Sequence, residues 1–226
     1  MPELELLDYQ SHSSLRLDLA NAGQRHFVQV VSEEIPLAAT EYPILFTKNP
    51  VTGAFYAGAV MGLEAGTNLF AADGMLPGYR PADLVRQGFF LDEGRIAVAP
   101  GDPVFVPHGK PVFDEQGSAT PALQQVQHAM QVLGRGLPET ESMIARFVEH
   151  RLIEPIDITL DFDDGSRLQL DGLYSTSLDS LHALSDEAAL DLFRRGDLQI
   201  AYIQAASIHH IRHMARLRNE RLFADA

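Results

Sequence analysis

The chain has 226 residues, of which 46% are hydrophobic and 21% are charged, and its formal net charge is −14. This length is enough to bury a substantial core, and the acidic charge disfavours general binding to the phosphate backbone of nucleic acids. The chain has no cysteine, which excludes disulfides, thiolate nucleophiles and cysteine-based zinc sites.

The N-terminus and the apolar runs predict a cytoplasmic protein without a membrane span. Residues 1–5 are acidic and lack the basic and apolar regions of a secretory signal. The most apolar run, residues 57–63, is far shorter than a membrane-spanning helix. The charge is uneven, because four arginines lie close together near the C-terminus, at Arg212, Arg216, Arg218 and Arg221. Such a cluster is typical of the basic end of a helix, and a docking patch for an acidic partner is the alternative.

The first half of the chain predicts short strands that are joined by turns. Alternation of polar and apolar residues, together with turn residues at the boundaries, indicates strands at residues 14–19, 26–31, 44–47, 54–61, 89–92, 95–99, 103–106 and 111–113. A turn is predicted at 21–23, a helical turn at 36–41 and a hairpin turn at 49–53. Residues 81–86 predict a short helix that begins with proline.

The second half predicts helices that surround a single hairpin. Thr120 and Pro121 form an N-cap and first-turn pair, and apolar residues follow at helical spacing. The glycines at 134 and 136 predict the end of this helix, and Pro138 predicts the start of another.

Further turn and cap signals follow towards the C-terminus. Residues 163–165 predict a tight turn between strands at 156–162 and 168–170. Ser185 predicts the cap of a helix that ends at Gly196, and a last helix is predicted from 197 to about 218.

This order of elements predicts an α+β protein. Residues 14–113 are β-rich with antiparallel hairpins, and residues 120–218 are mainly helical with one further hairpin. No β–α–β alternation demands a parallel sheet. A soft boundary lies at 117–119, but a single domain over residues 1–226 is the favoured interpretation.

A set of short motifs occurs in a fixed order along the chain. The motifs are Tyr42-Pro43-Ile44-Leu45-Phe46, Asn68-Leu69-Phe70, Gly78-Tyr79-Arg80-Pro81, Arg86 with Phe89-Phe90, Leu152-Ile153-Glu154-Pro155, Gly172-Leu173-Tyr174 and Ile200-Ala201-Tyr202. Together they resemble the bacterial SapC-like family over about residues 26–214. The family usually has a tryptophan where this chain has Met75-Leu76-Pro77, and often a tyrosine–proline pair where it has Gln87-Gly88-Phe89. If the aromatic turn of this family holds a ligand, these two departures imply a different specificity in this chain.

The resemblance also implies an accessory role. The family name comes from association with surface layers, and its members occur beside halogenase-like proteins, cupin-type hydroxylases and TonB-dependent receptors. This setting implies a peptide or protein partner in a peptide- or surface-modification pathway, with the halogenase-like and cupin-hydroxylase-like neighbours as candidates. The family supplies no catalytic residue set.

The loop at residues 64–79 and its flanks are the predicted binding site. Loops this long in compact domains are often functional. The candidate ligand- or partner-binding residues are Asn68, Phe70, Tyr79, Arg80, Arg86 and Phe89. Aromatic rings can wall a groove and arginine offers a planar fork for a carboxylate. The structural alternative is that the aromatic rings are core and the arginines pair with acids.

The histidines are the other candidates for chemistry. His209 and His213 are four residues apart on a predicted helix, a spacing that metal ligands use, but they lie opposite its apolar face and predict a solvated surface. His12 is expected in a mobile N-terminal end. The chain lacks a P-loop, a G-x-G-x-x-G motif and a G-x-S-x-G elbow. We therefore predict no catalytic residue, metal or cofactor, and keep a metal-assisted enzyme and a surface-layer or secretion component as alternatives.

Overall fold

The computed structural model describes residues 3–18, 24–71, 76 and 78–224 and has an α+β fold. The helices are α1 (Tyr9–His12), α2 (Ile35–Ala38), α3 (Ala82–Val85), α4 (Pro121–Glu149), α5 (Leu178–His182), α6 (Asp186–Arg195), α7 (Asp197–Ser207) and α8 (His210–Ala224). The strands are β1 (Glu5–Leu6), β2 (Arg16–Leu17), β3 (Phe27–Gln29), β4 (Ile44–Lys48), β5 (Phe55–Val60), β6 (Phe89–Asp92), β7 (Arg95–Val98), β8 (Lys110–Pro111), β9 (Ile153–Pro155), β10 (Ile158–Asp161), β11 (Arg167–Leu170) and β12 (Leu173–Thr176).

The main sheet has five antiparallel strands in the order β3-β5-β4-β12-β9. Its first three strands come from the N-terminal half, and the other two come from the C-terminal half. Strand β12 lies between β4 and β9, so the two halves of the chain share one hydrogen-bonded sheet. The predicted β4–β5 hairpin is present.

Other elements cover both faces of this sheet. Side chains alternate between the two faces along each strand, so neighbouring residues belong to different cores. Ile44 and Phe46 of β4 belong to a core that includes Met143 and Phe147 of α4. Leu45 belongs to a second core, which the β10–β11 hairpin and α8 complete. The sheet is therefore the middle layer of the molecule.

A smaller β-rich region lies beside the main sheet and the elements that cover it. It contains the sheet β1-β7-β6 and the pair β2-β8. Its core includes Leu17, Phe89 and Val98, which pack against Leu123 and Val126 from the first half of α4. Helix α4 thus reaches from the small region to the main sheet.

The predicted helix break at 134–136 is wrong, because α4 runs without interruption from Pro121 to Glu149. Gly136 is buried against Val31, where a side chain would not fit. Pro138 is exposed, so its ring is accommodated on the solvent side. Packing against the core outweighs the local preference of these residues to end a helix.

Other predicted boundaries also change. The predicted last helix is two helices, α7 and α8, with a break at residues 208–209. In the described part of the predicted strand at 14–19, residues 14–18, only β2 is a strand. The predicted turn at 21–23 lies outside the described residues, as do Met75 and Pro77. His12 is buried in α1, in contrast to its expected place in a mobile end.

The α+β class and the concentration of strands in the N-terminal half are confirmed. Strands β9 and β12 in the C-terminal half flank the predicted β10–β11 hairpin. Within the described residues, none of the helices is both long and apolar enough to cross a membrane.

Candidate functional site

The first and third motifs meet in a network of hydrogen bonds around two tyrosines. The Tyr42 hydroxyl donates to the Tyr79 carbonyl oxygen at 2.8 Å, and the Tyr79 backbone N–H donates to Glu41 Oε1 at 3.0 Å. The Tyr79 hydroxyl donates to Glu34 Oε1 at 2.8 Å. Burial raises the pKa of both tyrosine hydroxyls, so they remain protonated donors. This network fixes the backbone at Tyr79.

Glu34 is the acceptor at the centre of this network, and it is 2% exposed. Its Oε1 also accepts from the Ala82 N–H at 2.7 Å, and its Oε2 accepts from the Val31 N–H at 3.1 Å. Burial raises the pKa of the Glu34 carboxyl, and the donated hydrogen bonds oppose this shift without cancelling it. Glu34 therefore ties the start of α3 to the chain before α2.

Asn68 and Phe70 support the loop that follows β5. Asn68 is buried, and its Oδ1 accepts from the backbone N–H groups of Phe70 and Ala71 at 2.9 and 3.1 Å. The Phe70 ring meets the Tyr42 ring edge-on at 4.9 Å between centroids. The Arg221 guanidinium of α8 donates to the carbonyl oxygens of Leu69 and Ala71. These contacts hold the loop onto the body of the protein.

Two further predicted site residues lie in different surroundings. Phe89 is fully buried in the core of the small β-rich region. Arg80 is partly buried beside Tyr42, where its positive charge opposes the rise in the pKa of that hydroxyl. Neither residue lines the cleft that contains Arg86.

Arg86 lines a cleft of about 690 Å³. The cleft lies between α3, the middle of α4, the β4–β5 turn and the adjoining ends of β3 and β5. Its polar lining includes Arg25, Gln29, Asp83 and Glu141. Phe55 and Tyr56 add apolar surface, and the volume is in the usual range for a ligand site.

The charged centre of the cleft is a cluster of Arg25, Asp83 and Arg86, hereafter the arginine pair with its carboxylate. Both guanidiniums donate to Asp83, Arg25 to Oδ2 and Arg86 to Oδ1. The Asp83 side chain is 3% exposed, whereas those of Arg25 and Arg86 are 35% and 29% exposed. The carboxylate is buried beneath the guanidiniums, and they face the solvent of the cleft.

Additional contacts hold each guanidinium in place. Arg25 donates to the Asp83 carbonyl oxygen at 3.0 Å, and Arg86 donates to the Phe89 carbonyl oxygen at 3.3 Å. The Arg86 guanidinium also lies 5.7 Å from the centroid of the Phe90 ring, a cation–π contact. These contacts leave the two arginines with little freedom to lose on binding.

The six predicted site residues are therefore not gathered in one cavity. Asn68, Phe70 and Tyr79 form a continuous structural unit around Tyr42, while Arg86 lies in the cleft. The sequence did not single out Arg25 or Asp83. Asp83 had a local signal, since it precedes Arg86 by three residues in a predicted helix. Arg25 had none, because 58 positions separate it from Asp83.

The C-terminal histidines do not converge. His209 is exposed, His210 Nε2 lies 3.1 Å from the Ala39 carbonyl oxygen, and the His213 ring lies 6.0 Å from the Phe70 ring. In the part of the chain that the structure describes, no group of three or more histidine and acidic side chains could hold a metal ion.

Comparison with known proteins places these motifs in a family. The SapC family model matches residues 7–214. Searches of curated proteins and of solved structures give no match. The family match covers nearly all of the 226 residues and confirms the resemblance carried by the ordered motifs, and the chain therefore belongs to the SapC family.

Proposed function

We propose that this SapC-family protein is a non-catalytic accessory protein that binds an extended segment of a peptide or protein partner in the cleft beside Arg86. The proposal includes a cytoplasmic location and a role in a peptide- or surface-modification pathway. The observation that carries it is a cleft that combines a free stretch of strand edge, apolar side chains and two fixed guanidiniums.

The strand edge belongs to the first residues of β5. Strand β3 pairs with residues 58–60 of β5, and the Val30 N–H donates to the Ala57 carbonyl oxygen at 3.0 Å. Backbone groups of alternate strand residues point to the same side, so those of Phe55 share the outer side of β5 with those of Ala57. Among the described residues, no strand pairs with Phe55 on this side. An extended peptide can add to such an edge through backbone hydrogen bonds, and pockets beside the edge then select its side chains.

The ion pairing in the cleft favours a role in recognition over proton transfer for Asp83. A general base needs a carboxylate or imidazole that can reach a substrate proton. The Asp83 carboxylate is covered and is held by both Arg25 and Arg86. Groups that are fixed before binding lose less conformational entropy when a ligand arrives. The arginine pair with its carboxylate is thus arranged as a rigid contact surface.

Selection from a random heptapeptide library on the immobilised protein tests this proposal. Tryptophan in place of Ala54, which lines the cleft, is expected to abolish the enrichment of peptides seen with the wild type. Val51→Trp is the matched control, because Val51 lies on the same turn, is 91% exposed and does not line the cleft. Far-UV circular dichroism checks that both variants fold.

Two results would contradict this function. One is a wild-type protein that enriches no peptide above the bare matrix. The other is enrichment that Ala54→Trp and Val51→Trp leave equally unchanged, since the peptides would then bind elsewhere. Under the proposal, the enriched pattern should also occur in a protein encoded beside this chain, with the halogenase-like and hydroxylase-like neighbours as the first candidates.

A further inference from the structure

We propose that the arginine pair with its carboxylate recognises one carboxylate group of the bound segment, and that this segment is otherwise neutral or basic. This inference rests on the proposed function, because it names the chemistry that the cleft selects. Its three parts are the unused donors of the two guanidiniums, the local charge and the charge of the whole chain.

Each guanidinium has more N–H donors than its contacts with the described residues use. Arginine carries five N–H donors in a planar fork that matches a carboxylate. Among the described residues, Arg25 donates to the side chain and the carbonyl oxygen of Asp83, and Arg86 donates to the Asp83 side chain and the Phe89 carbonyl oxygen. About a third of each arginine side chain is exposed in the cleft. Both arginines therefore retain N–H groups for an acceptor on a ligand.

The charge of the arginine pair with its carboxylate favours a ligand group that carries one negative charge. Two guanidiniums face one Asp83 carboxylate, so these three side chains together carry a charge of +1. The nearby carboxyl of Glu34, whose pKa the Asp83 charge helps to raise, offsets part of it. A ligand carboxylate would cancel what remains of that charge. Charge-assisted hydrogen bonds of this kind are about twice as strong as neutral ones.

The surrounding charge limits what else the segment can carry. Glu141, which is exposed on α4, lines the same cleft, and the whole chain has a formal net charge of −14. A strongly acidic segment would be repelled during its approach. A segment that places one carboxylate at the arginine pair and a basic or neutral residue near Glu141 satisfies both conditions. A phosphate group, with up to two negative charges, fits this balance less well.

The decisive experiment compares two peptides on four proteins, and a phosphoserine counterpart of the first peptide on the wild type. The first peptide is the strongest acid-containing heptapeptide from the library, with acetyl and amide caps, and the second has its Asp or Glu changed to Asn or Gln. Calorimetry measures both against the wild type, Arg86→Gln, Arg86→Lys and Arg167→Gln. Arg167 is the control, because it pairs with Asp161 on the surface, where its side chain is 71% exposed.

Arg86→Gln is expected to weaken binding of the acidic peptide by about tenfold to a hundredfold, the range for hydrogen bonds to a charged group. The amide peptide should bind weakly to the wild type and to Arg86→Gln alike. Arg86→Lys keeps the charge and loses the fork, so an intermediate loss is expected. Arg167→Gln should bind as the wild type does. A second library with free C-termini shows whether the carboxylate belongs to a side chain or to the chain terminus.

Several results would overturn the inference while leaving the proposed function in place. One is the selection of peptides that bind in the cleft without any acidic group. Another is a loss of affinity on Arg86→Gln that is equal for the acidic and amide peptides. The third is tighter binding of a phosphopeptide than of its carboxylate counterpart. A wild-type protein that selects no peptide would instead overturn both. The thermal unfolding midpoints of the Arg86 variants are compared with that of the wild type. This comparison shows whether the protein stays folded when Arg25 is the remaining ion-pair partner of Asp83.

Discussion

Glu34 is a buried carboxylate that joins the family motif at Tyr79 to the backbone of two other segments. Its oxygens accept from the backbone of Val31 and Ala82 and from the hydroxyl of Tyr79. A buried ionised carboxylate is stable only when its hydrogen bonds replace those of water. Even with these donors, burial keeps the pKa of the Glu34 carboxyl above its ordinary value. Ionising Glu34 therefore costs more free energy in the folded protein than in the unfolded chain.

We expect the stability of the wild type to rise relative to that of Glu34→Gln as the pH is lowered from 7 towards 4.5. Since the pKa is raised in the folded state, the folded protein binds a proton more readily than the unfolded chain. The free energy of unfolding that Glu34 contributes is then full below the unfolded pKa and is lost as the pH rises through the folded pKa. Urea unfolding at several pH values measures the difference between the two proteins.

The neighbouring Glu33 provides the control for this measurement. It is exposed and pairs with Arg135 on the surface, so Glu33→Gln removes one carboxylate without disturbing the buried network. A constant difference between the wild type and Glu34→Gln over this pH range would show that Glu34 has the same pKa in both states. Loss of the Tyr79 and Ala82 hydrogen bonds in Glu34→Ala should destabilise the protein at every pH, because buried donors are left without a partner.

At the scale of elements, packing decides whether α4 ends or continues at residues 134–138. Gly134, Gly136 and Pro138 lie within five residues, and each favours the end of a helix. The helix continues because Leu133 is buried in the core that also holds Val31, while Gly136 allows α4 to approach Val31 closely. A Cβ at Gly136 would lie 2.6 Å from Val31 Cβ, whereas a Cβ at Gly134 would meet nothing within 4 Å.

The two glycines should therefore respond in opposite ways to alanine. Gly134→Ala should stabilise the protein by about 0.5–1 kcal/mol, because alanine loses less backbone entropy in a helix. Gly136→Ala should destabilise it by about 1–3 kcal/mol, the usual cost of overpacking a core. Chemical denaturation of both variants measures the difference, and each serves as the control for the other. Equal effects in both would mean that Gly136 is not in tight contact with Val31.

The elements that the sequence predicted well are those specified by neighbouring residues. Thr120 and Ser185 cap α4 and α6, and Gly196 ends α6 in the left-handed conformation. Gly165 adopts a positive φ in the β10–β11 turn. Caps and turns depend on contacts within a few residues, so their residue types indicate them. The continuity of α4 depends on Val31, which no local pattern reveals.

At the scale of the whole molecule, the sequence could not predict which distant segments meet. The motifs identified the family, but their residues separate into a structural network around Tyr42 and a cleft around Arg86. The cleft could not be predicted because Arg25 and Asp83 are 58 positions apart, and the pairing of the adjacent β3 with β5 is also long-range. The placement of β12 next to β4 depends in the same way on a long-range pairing.

The side chain of Gln204 joins the two halves of the chain where the ladder between β4 and β12 ends. The pairing of these strands includes Phe46 with Tyr174 and does not extend to Ile44 and Thr176. The Gln204 side chain of α7 bridges the gap: its Nε2 donates to the Ile44 carbonyl oxygen at 2.6 Å, and its Oε1 accepts from the Thr176 N–H at 2.8 Å. Gln204 is fully buried, so an amide from a helix takes the place of a strand residue.

Gln204→Leu should therefore be among the most damaging changes of a polar residue in this protein. It leaves a buried carbonyl oxygen and a buried N–H group without partners, each at a cost of about 1–3 kcal/mol. The expected loss in the free energy of unfolding is about 2–6 kcal/mol, measured by urea unfolding. Gln199→Leu is the matched control on the same helix, where Gln199 is exposed and should tolerate the change. A similar small effect from both substitutions would mean that the two halves of the sheet are held together without the Gln204 bridge.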